Sequence, residues 1–186
     1  VAGAEAPYRG DAGEQIAEAV STGLRDVPDF PEPGVIFKDI TELLSDGGTM
    51  AQCTAALAQR AELAGAELIA GIEARGFLVA AGIAGRLSLG VIPVRKAGKL
   101  PPPTRRLTYD LEYGTAEIEL PMLPLEGRRV FLADDVLATG GSAQAATALL
   151  RQAGAHIVGI GLLVELEFLG GRERLAGQDV FSLLRV

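Results

Sequence analysis

Cysteine and histidine are nearly absent: the 186-residue chain has one of each. With Cys53 alone, no intrachain disulfide can form. Cys53 falls in a stretch that reads as a helix, where a free thiol is most often a buried structural group. A reducing, cytoplasmic compartment fits that usage. One His and one Cys also argue against a His/Cys zinc site and against a Cys–His nucleophile pair. His156 precedes an apolar run and reads as a strand-entry residue. Most of the acid–base and metal work therefore falls to carboxylates.

Positive charge is scarce as well. Seventeen Lys and Arg face 24 Asp and Glu, a net charge of -7. General nucleic-acid binding needs the opposite, a basic face. Any site for an anionic ligand must then concentrate its cations locally. Long apolar runs are missing too. The stretch from Phe77 ends at Arg86 and the one from Ile157 ends at Glu165, far short of the roughly 20 residues of a membrane span. Val1 to Ala12 mixes Gly, Ala, Pro and both charge signs without an apolar signal core, and reads as a loose tail. Residues 1–186 are of a length for one domain, and an apolar fraction of 48% is enough for a core.

Apolar runs alternate with helix-like stretches. Leu68–Ile72, Val91–Val94, Val130–Ala133 and Ile157–Val164 read as buried strands, with Phe181–Val186 a weaker fifth. Thr49–Ala64, Gly76–Leu89 and Ser142–Ala153 read as helices, as does Glu14–Leu24 before the first strand. Gly90 and Gly154 stand where helix C-terminal glycines belong. This alternation predicts an α/β fold with a mostly parallel central sheet covered on both faces. Ligands of such folds bind at the C-terminal strand ends. From Lys99 to Pro124 the rhythm breaks: prolines precede Tyr109–Gly114, and Ala116–Leu120 alternates. That predicts a partly exposed hairpin or flap over 99–124.

The most informative stretch is Val130-Phe131-Leu132-Ala133-Asp134-Asp135-Val136-Leu137-Ala138-Thr139-Gly140-Gly141-Ser142. An apolar strand runs into two carboxylates, then into a small-residue loop that opens a helix. Backbone N–H groups at a helix N-terminus hold a phosphate dianion, and glycines permit close approach. Thr139 and Ser142 add hydroxyls, and the acidic pair suits ribose hydroxyls. Neither a Gly-Lys-Ser/Thr Walker loop nor a Gly-x-Gly-x-x-Gly follows. Arg95, Lys96, Lys99, Arg105 and Arg106 form a second feature, five cations in one stretch with no acid among them. They suit a pyrophosphate or, on spacing alone, a solvated basic loop.

The run from Val130 to Ser142 resembles the phosphoribosyl-pyrophosphate motif of type I phosphoribosyltransferases. Other segments resemble the adenine-specific branch of that family: Pro28–Pro31, Pro33–Thr41, Glu73–Phe77, Arg95–Pro101 and Tyr109–Gly114. They run in family order from about Pro28 to Glu165. The resemblance implies the type I phosphoribosyltransferase fold, with a small N-terminal hood and a flexible flap. It implies purine salvage, in which adenine and phosphoribosyl pyrophosphate give AMP and pyrophosphate, with Mg²⁺ held mainly through pyrophosphate and ribose, and a homodimer. Glu112 is the acid–base group so implied, and Asp134 and Asp135 hold the ribose. Ile36, Phe37 and Lys38 meet the purine. Arg75, Arg95, Lys96, Lys99 and Tyr113 face the rest of the substrate, and Ala138, Thr139, Gly140, Gly141 and Ser142 take the 5-phosphate. Read without the family, Glu112 is a solvated carboxylate, Phe37 a core aromatic, Arg75 a surface ion-pair residue, and Lys38 a partner for a nearby carboxylate. Two rivals stay open: transfer to another base, and a non-catalytic sensor of phosphoribosyl pyrophosphate. The second would need a DNA-binding module, for which the residues before Pro28 are few and not basic.

Overall fold

The computed structural model describes residues 11–30, 32–110 and 115–186. Helix α1 (Asp11–Thr22) turns Ile16 and Val20, four residues apart, into the core, as a 3.6-residue period requires. Strands β1 (Arg25–Pro28) and β2 (Ile36–Asp39) then pair antiparallel as a separate two-stranded sheet, the hood. Two cross-strand ion pairs close its open end: Arg25 with Asp39 at 2.8 Å and Lys38 with Asp26 at 2.7 Å. Asp39 also accepts from the Thr41 hydroxyl and N–H, at 2.6 and 3.0 Å. That turns the chain into the short α2 (Thr41–Ser45). Helix α3 (Gly47–Leu63) starts on the Asp46 carboxylate, which accepts from Gly48 N, the usual service of an N-cap.

The central sheet is built from β3 (Leu68–Ile72), β4 (Gly90–Lys96), β5 (Thr104–Asp110), β6 (Thr115–Pro121), β7 (Arg129–Leu137), β8 (His156–Glu165) and β9 (Val180–Arg185). Their spatial order is β5-β6-β4-β3-β7-β8-β9. The five strands from β4 to β9 run parallel, whereas β6 joins β4 antiparallel and β5 closes that edge as a hairpin. Helix α4 (Gly76–Leu87) links β3 to β4, and α5 (Gly141–Gln152) links β7 to β8. Helices α1, α3 and α4 bury one face around Leu57, Ile83 and Phe131. Helix α5 and the hairpin bury the other around Leu132, Leu149 and Leu120. Both faces are covered, so the parallel strands read as continuous apolar runs. The Cys53 thiol lies in the first of these cores, where burial pushes it up to about 11.

Two local expectations differ from what is found. Gly154 does take the left-handed turn after α5, at φ +91°. After α4 that position falls to Ser88, at φ 55°, while Gly90 begins β4. Glycine serves there for lack of room, since a Cβ would come within 3.1 Å of the Leu68 side chain. In β6, the alternating pattern does not leave Glu119 facing water. Ile118, Glu119 and Leu120 are all buried, because β6 is an interior strand between β4 and β5.

Candidate active site

The C-terminal half of β7 delivers the chemistry. Val130 to Ala133 are anchored in the core, which places Asp134 and Asp135 at the strand's emerging end. The chain then turns through Ala138, Thr139 and Gly140 into α5. Gly140 takes φ +81° and offers no capping side chain, so the first N–H groups of α5 are left without an intrahelical acceptor. They face a cavity of about 100 Å³ whose lining includes Asp134, Thr139, Gly141 and Ser142. That is room for about three waters at liquid density, and a setting for an anion. From the far side of the sheet edge, the Tyr109 hydroxyl of β5 lies 3.2 Å from the Ser142 hydroxyl.

The two carboxylates are in unlike settings. Asp135 is buried, and its Oδ2 lies 2.7 Å from Arg75 Nε. The N–H is not aligned on it, so that buried oxygen has charge compensation but no hydrogen-bond donor. Asp134 Oδ1 accepts from the Asp135 N–H at 3.0 Å. Burial, and then the charge of Asp135, raise the Asp134 carboxyl well above the usual carboxylate range, with Arg75 acting weakly in the opposite sense. Burial and a like charge beside it both disfavour the ionised form of Asp134.

A second, more apolar cavity of about 270 Å³ adjoins the first and shares Val136 and Ala138 with it. Ile36, Phe37 and Lys38 of the hood form one wall, Leu166 and Leu169 another. The Arg75 guanidinium sits 5.7 Å from the Phe37 ring centroid, and Phe30 meets the same ring edge-on at 5.2 Å. Arg75 thus spans the acidic pair and the aromatic wall. The Lys38 ammonium, though it lines this cavity, is held by Asp26, as the alternative reading of that residue had it.

The basic stretch divides into two groups. Arg95 is bound by Glu73 at 3.1 Å and donates to the Lys99 carbonyl at 2.9 Å. Arg106 is bound by Glu119 at 3.2 Å and faces Glu117 at 3.6 Å. These two arginines are compensated by acids that lie elsewhere in the chain. Lys96, Lys99 and Arg105 are exposed and form no ion pair among the described residues. Glu73 also accepts from the Lys96 N–H at 3.0 Å, which ties the end of β3 to the end of β4. The free lysines therefore lie at the same sheet edge as Arg75 and the phosphate loop. Glu112 and Tyr113 lie outside the described residues. Among the described residues no group of three His, Cys, Asp or Glu is arranged to hold a metal ion.

Sequence reasoning did not find Asp26, Glu73, Glu119, Leu166, Leu169 or Gly171. For Glu73 and Glu119 a signal existed: an acid beside or opposite a cation-rich segment. For Gly171 there was none, because its role depends on a contact with Gly140 from a distant loop.

Residues 39–176 match the phosphoribosyl transferase domain family. The match takes in β3 to β8 and so the phosphate loop, the acidic pair and the basic stretch, while Phe37 and Lys38 precede it. The chain is also 52% identical over 183 residues to the adenine phosphoribosyltransferase of Frankia casuarinae, covering 98% of this chain and 97% of that one. The chain belongs to the adenine phosphoribosyltransferase family. Solved members of the family agree with the fold. The Thermoanaerobacter pseudethanolicus adenine phosphoribosyltransferase superposes with a TM-score of 0.87 at 44% identity, over 91% of this chain and 99% of its own. The Saccharomyces cerevisiae adenine phosphoribosyltransferase, complexed with an imino-altritol bisphosphate and adenine, superposes with a TM-score of 0.85 at 36% identity. It covers 92% of this chain and 99% of its own.

Proposed function

We propose that this protein is a purine salvage enzyme that transfers the phosphoribosyl group of phosphoribosyl pyrophosphate to adenine, giving AMP and pyrophosphate. The observation that carries this is the pair of adjoining cavities. One is polar and opens on a helix N-terminus; the other is apolar and aromatic-walled. Val136 and Ala138 line both, and Asp134 lines the first beside them. A phosphate in the first and a purine in the second leave the ribose over the acidic pair.

In this reading Ala138, Thr139, Gly140, Gly141 and Ser142 take the 5-phosphate, and Asp134 and Asp135 take the ribose hydroxyls. The acidic pair, with Asp135 ion-paired to Arg75, lies close to the ring carbon that becomes positive as its bond to pyrophosphate breaks and its bond to N9 forms. Arg75, Lys96 and Lys99 receive the departing pyrophosphate. Arg95 contributes from behind, by shaping the loop. Phe37 stacks on the purine, and the Ile36 and Lys38 segment reads its edge. Lys38 would leave Asp26 to reach the base. Glu112 accepts the N9 proton, and Tyr113 borders the substrate beside it.

Mg²⁺ fits this site as an ion shared with substrate. Asp134 lines the polar cavity, and the neighbouring Asp135 keeps a buried oxygen without a hydrogen-bond donor; magnesium is commonly held by one or two carboxylates plus phosphates. Pyrophosphate and ribose oxygens would hold it in the main, with Asp134 and Asp135 beside it, and it would supply charge that stabilises the leaving group. A cytoplasmic homodimer completes the proposal. The lone cysteine is buried, and no helix of the described residues is long and apolar enough to cross a membrane.

Incubation with adenine, phosphoribosyl pyrophosphate and Mg²⁺ should yield AMP and pyrophosphate in equal amounts. No AMP under these conditions would overturn the proposal. Sedimentation of the purified protein checks the dimer.

A further inference from the structure

Glu119 is wholly buried, yet it touches neither cavity of the site. An ionised carboxylate taken out of water needs close compensation, and three hydrogen bonds and one cation supply it. Oε1 accepts from Lys99 N at 2.6 Å and Leu100 N at 2.7 Å, while Oε2 meets Thr104 Oγ1 at 3.3 Å and Arg106 Nε at 3.2 Å. Burial pushes the carboxyl up, but the Leu100 and Lys99 N–H groups and the Arg106 charge hold it below its ordinary value. From the other side Arg95, the cross-strand partner of Glu119, donates to the Lys99 carbonyl and is itself anchored by Glu73. The Lys99 peptide is thereby held at both its N–H and its C=O. Its side chain is exposed, with no ion-pair partner among the described residues.

We infer that Glu119 is a positioning residue for the proposed transfer reaction: it fixes the peptide of Lys99 so that the ammonium stands ready for the pyrophosphate of the substrate. The inference rests on the proposed function. A donor held in place before the substrate arrives costs no reorganisation on binding. The competing role is structural, with Glu119 merely holding the hairpin to the sheet.

A kinetic cycle with Glu119→Gln, Lys99→Ala and the double variant separates the two roles. Gln keeps the shape of Glu but removes the charge that faces Arg106 and the Lys99 and Leu100 N–H groups. The KM for phosphoribosyl pyrophosphate should rise about tenfold or more, the loss of a charge-assisted hydrogen bond, with the KM for adenine nearly unchanged. Because Glu119 acts through Lys99, Glu119→Gln should add little in the Lys99→Ala background. A lowered Tm with an unchanged KM for phosphoribosyl pyrophosphate, or effects that multiply in the double variant, would overturn the inference. Calorimetry with Mg²⁺ and pyrophosphate alone keeps this test apart from the proposed function. If the wild-type protein binds pyrophosphate but makes no AMP, the function fails and the cycle is read from pyrophosphate Kd instead. If it binds no pyrophosphate, the inference fails. Should Glu119→Gln not fold, Glu119→Asp, which keeps the charge one methylene short of the loop, should show the same selective weakening.

Discussion

Replacing Gly171 with Ala should damage substrate binding from outside the phosphate loop. Gly171 follows the short 3₁₀ turn Glu167–Leu169, and its backbone packs against the turn that cradles the proposed 5-phosphate. Its φ is ordinary, so alanine meets no backbone strain. The obstacle is space: a Cβ would overlap the Ala138 carbonyl oxygen and stand 3.0 Å from Gly140 N. The contact is tight from both partners, since a Cβ on Gly140 would likewise overlap the Gly171 carbonyl oxygen. Relief therefore requires the Ala138–Gly140 turn to move by about 1 Å, a displacement able to cost roughly 10²-fold in rate. Overpacking of this kind typically costs about 1–3 kcal/mol. In a chain of this size each kcal/mol lowers Tm by about 2–4 °C. Thermal melts and steady-state kinetics against phosphoribosyl pyrophosphate measure both effects. Gly170→Ala is the control: φ is +64° there, and the nearest heavy atom lies at 3.9 Å. It should lose about 1 kcal/mol to backbone strain while leaving the KM for phosphoribosyl pyrophosphate unchanged. A Gly171→Ala enzyme with wild-type kinetic constants, or a Gly170→Ala enzyme equally impaired in binding, would refute the reasoning.

Asp134→Asn should lower kcat/KM on the order of 10²-fold, the loss of one preorganised electrostatic group, and yet raise the stability of the free protein. The folded-state carboxyl titrates above the ordinary 3.8, so the folded chain binds the proton more tightly. The ionised group therefore disfavours folding increasingly as pH rises from 3.8 through its folded value. The gain from Asn should be present at neutral pH and vanish below about 3.8; melts at both extremes check it, and an unstabilised variant at neutral pH contradicts it. Gly85→Ala lies on the exposed face of α4 with nothing within 4 Å of the new Cβ. It should stabilise by about 1 kcal/mol without kinetic effect, and a lower Tm would show that the helix does not tolerate it.

The segment from Val130 to Ser142 was legible because its neighbours in space are its neighbours in sequence: a buried strand, an acidic end and a glycine turn into a helix. The parallel strands were legible for a similar reason, as short apolar runs set between amphipathic helices. The hood was not read as strands, because β1 and β2 have four residues each, too few to establish a period, and are held by cross-strand ion pairs. The roles of Arg95 and Arg106 were hidden in another way. Local composition showed cations without acids, but the compensating carboxylates arrive from the turn after β3 and from β6. Ser88 taking the left-handed turn in place of Gly90 is a matter of register: the helix ends two residues earlier, and the glycine answers the crowding by Leu68 instead.

The central claim is a site that reads adenine, and the ratio of kcat/KM for adenine to that for hypoxanthine tests it most directly. Adenine offers an N6 donor beside an N1 acceptor, which one peptide segment around Ile36 can meet with a C=O and an N–H. Hypoxanthine reverses the pair, leaving O6 against a carbonyl and N1–H against another N–H, both buried and unpartnered. With phosphoribosyl pyrophosphate and Mg²⁺ saturating, adenine should be preferred by roughly 10⁴-fold or more. Hypoxanthine turnover within about tenfold of adenine would contradict the claim.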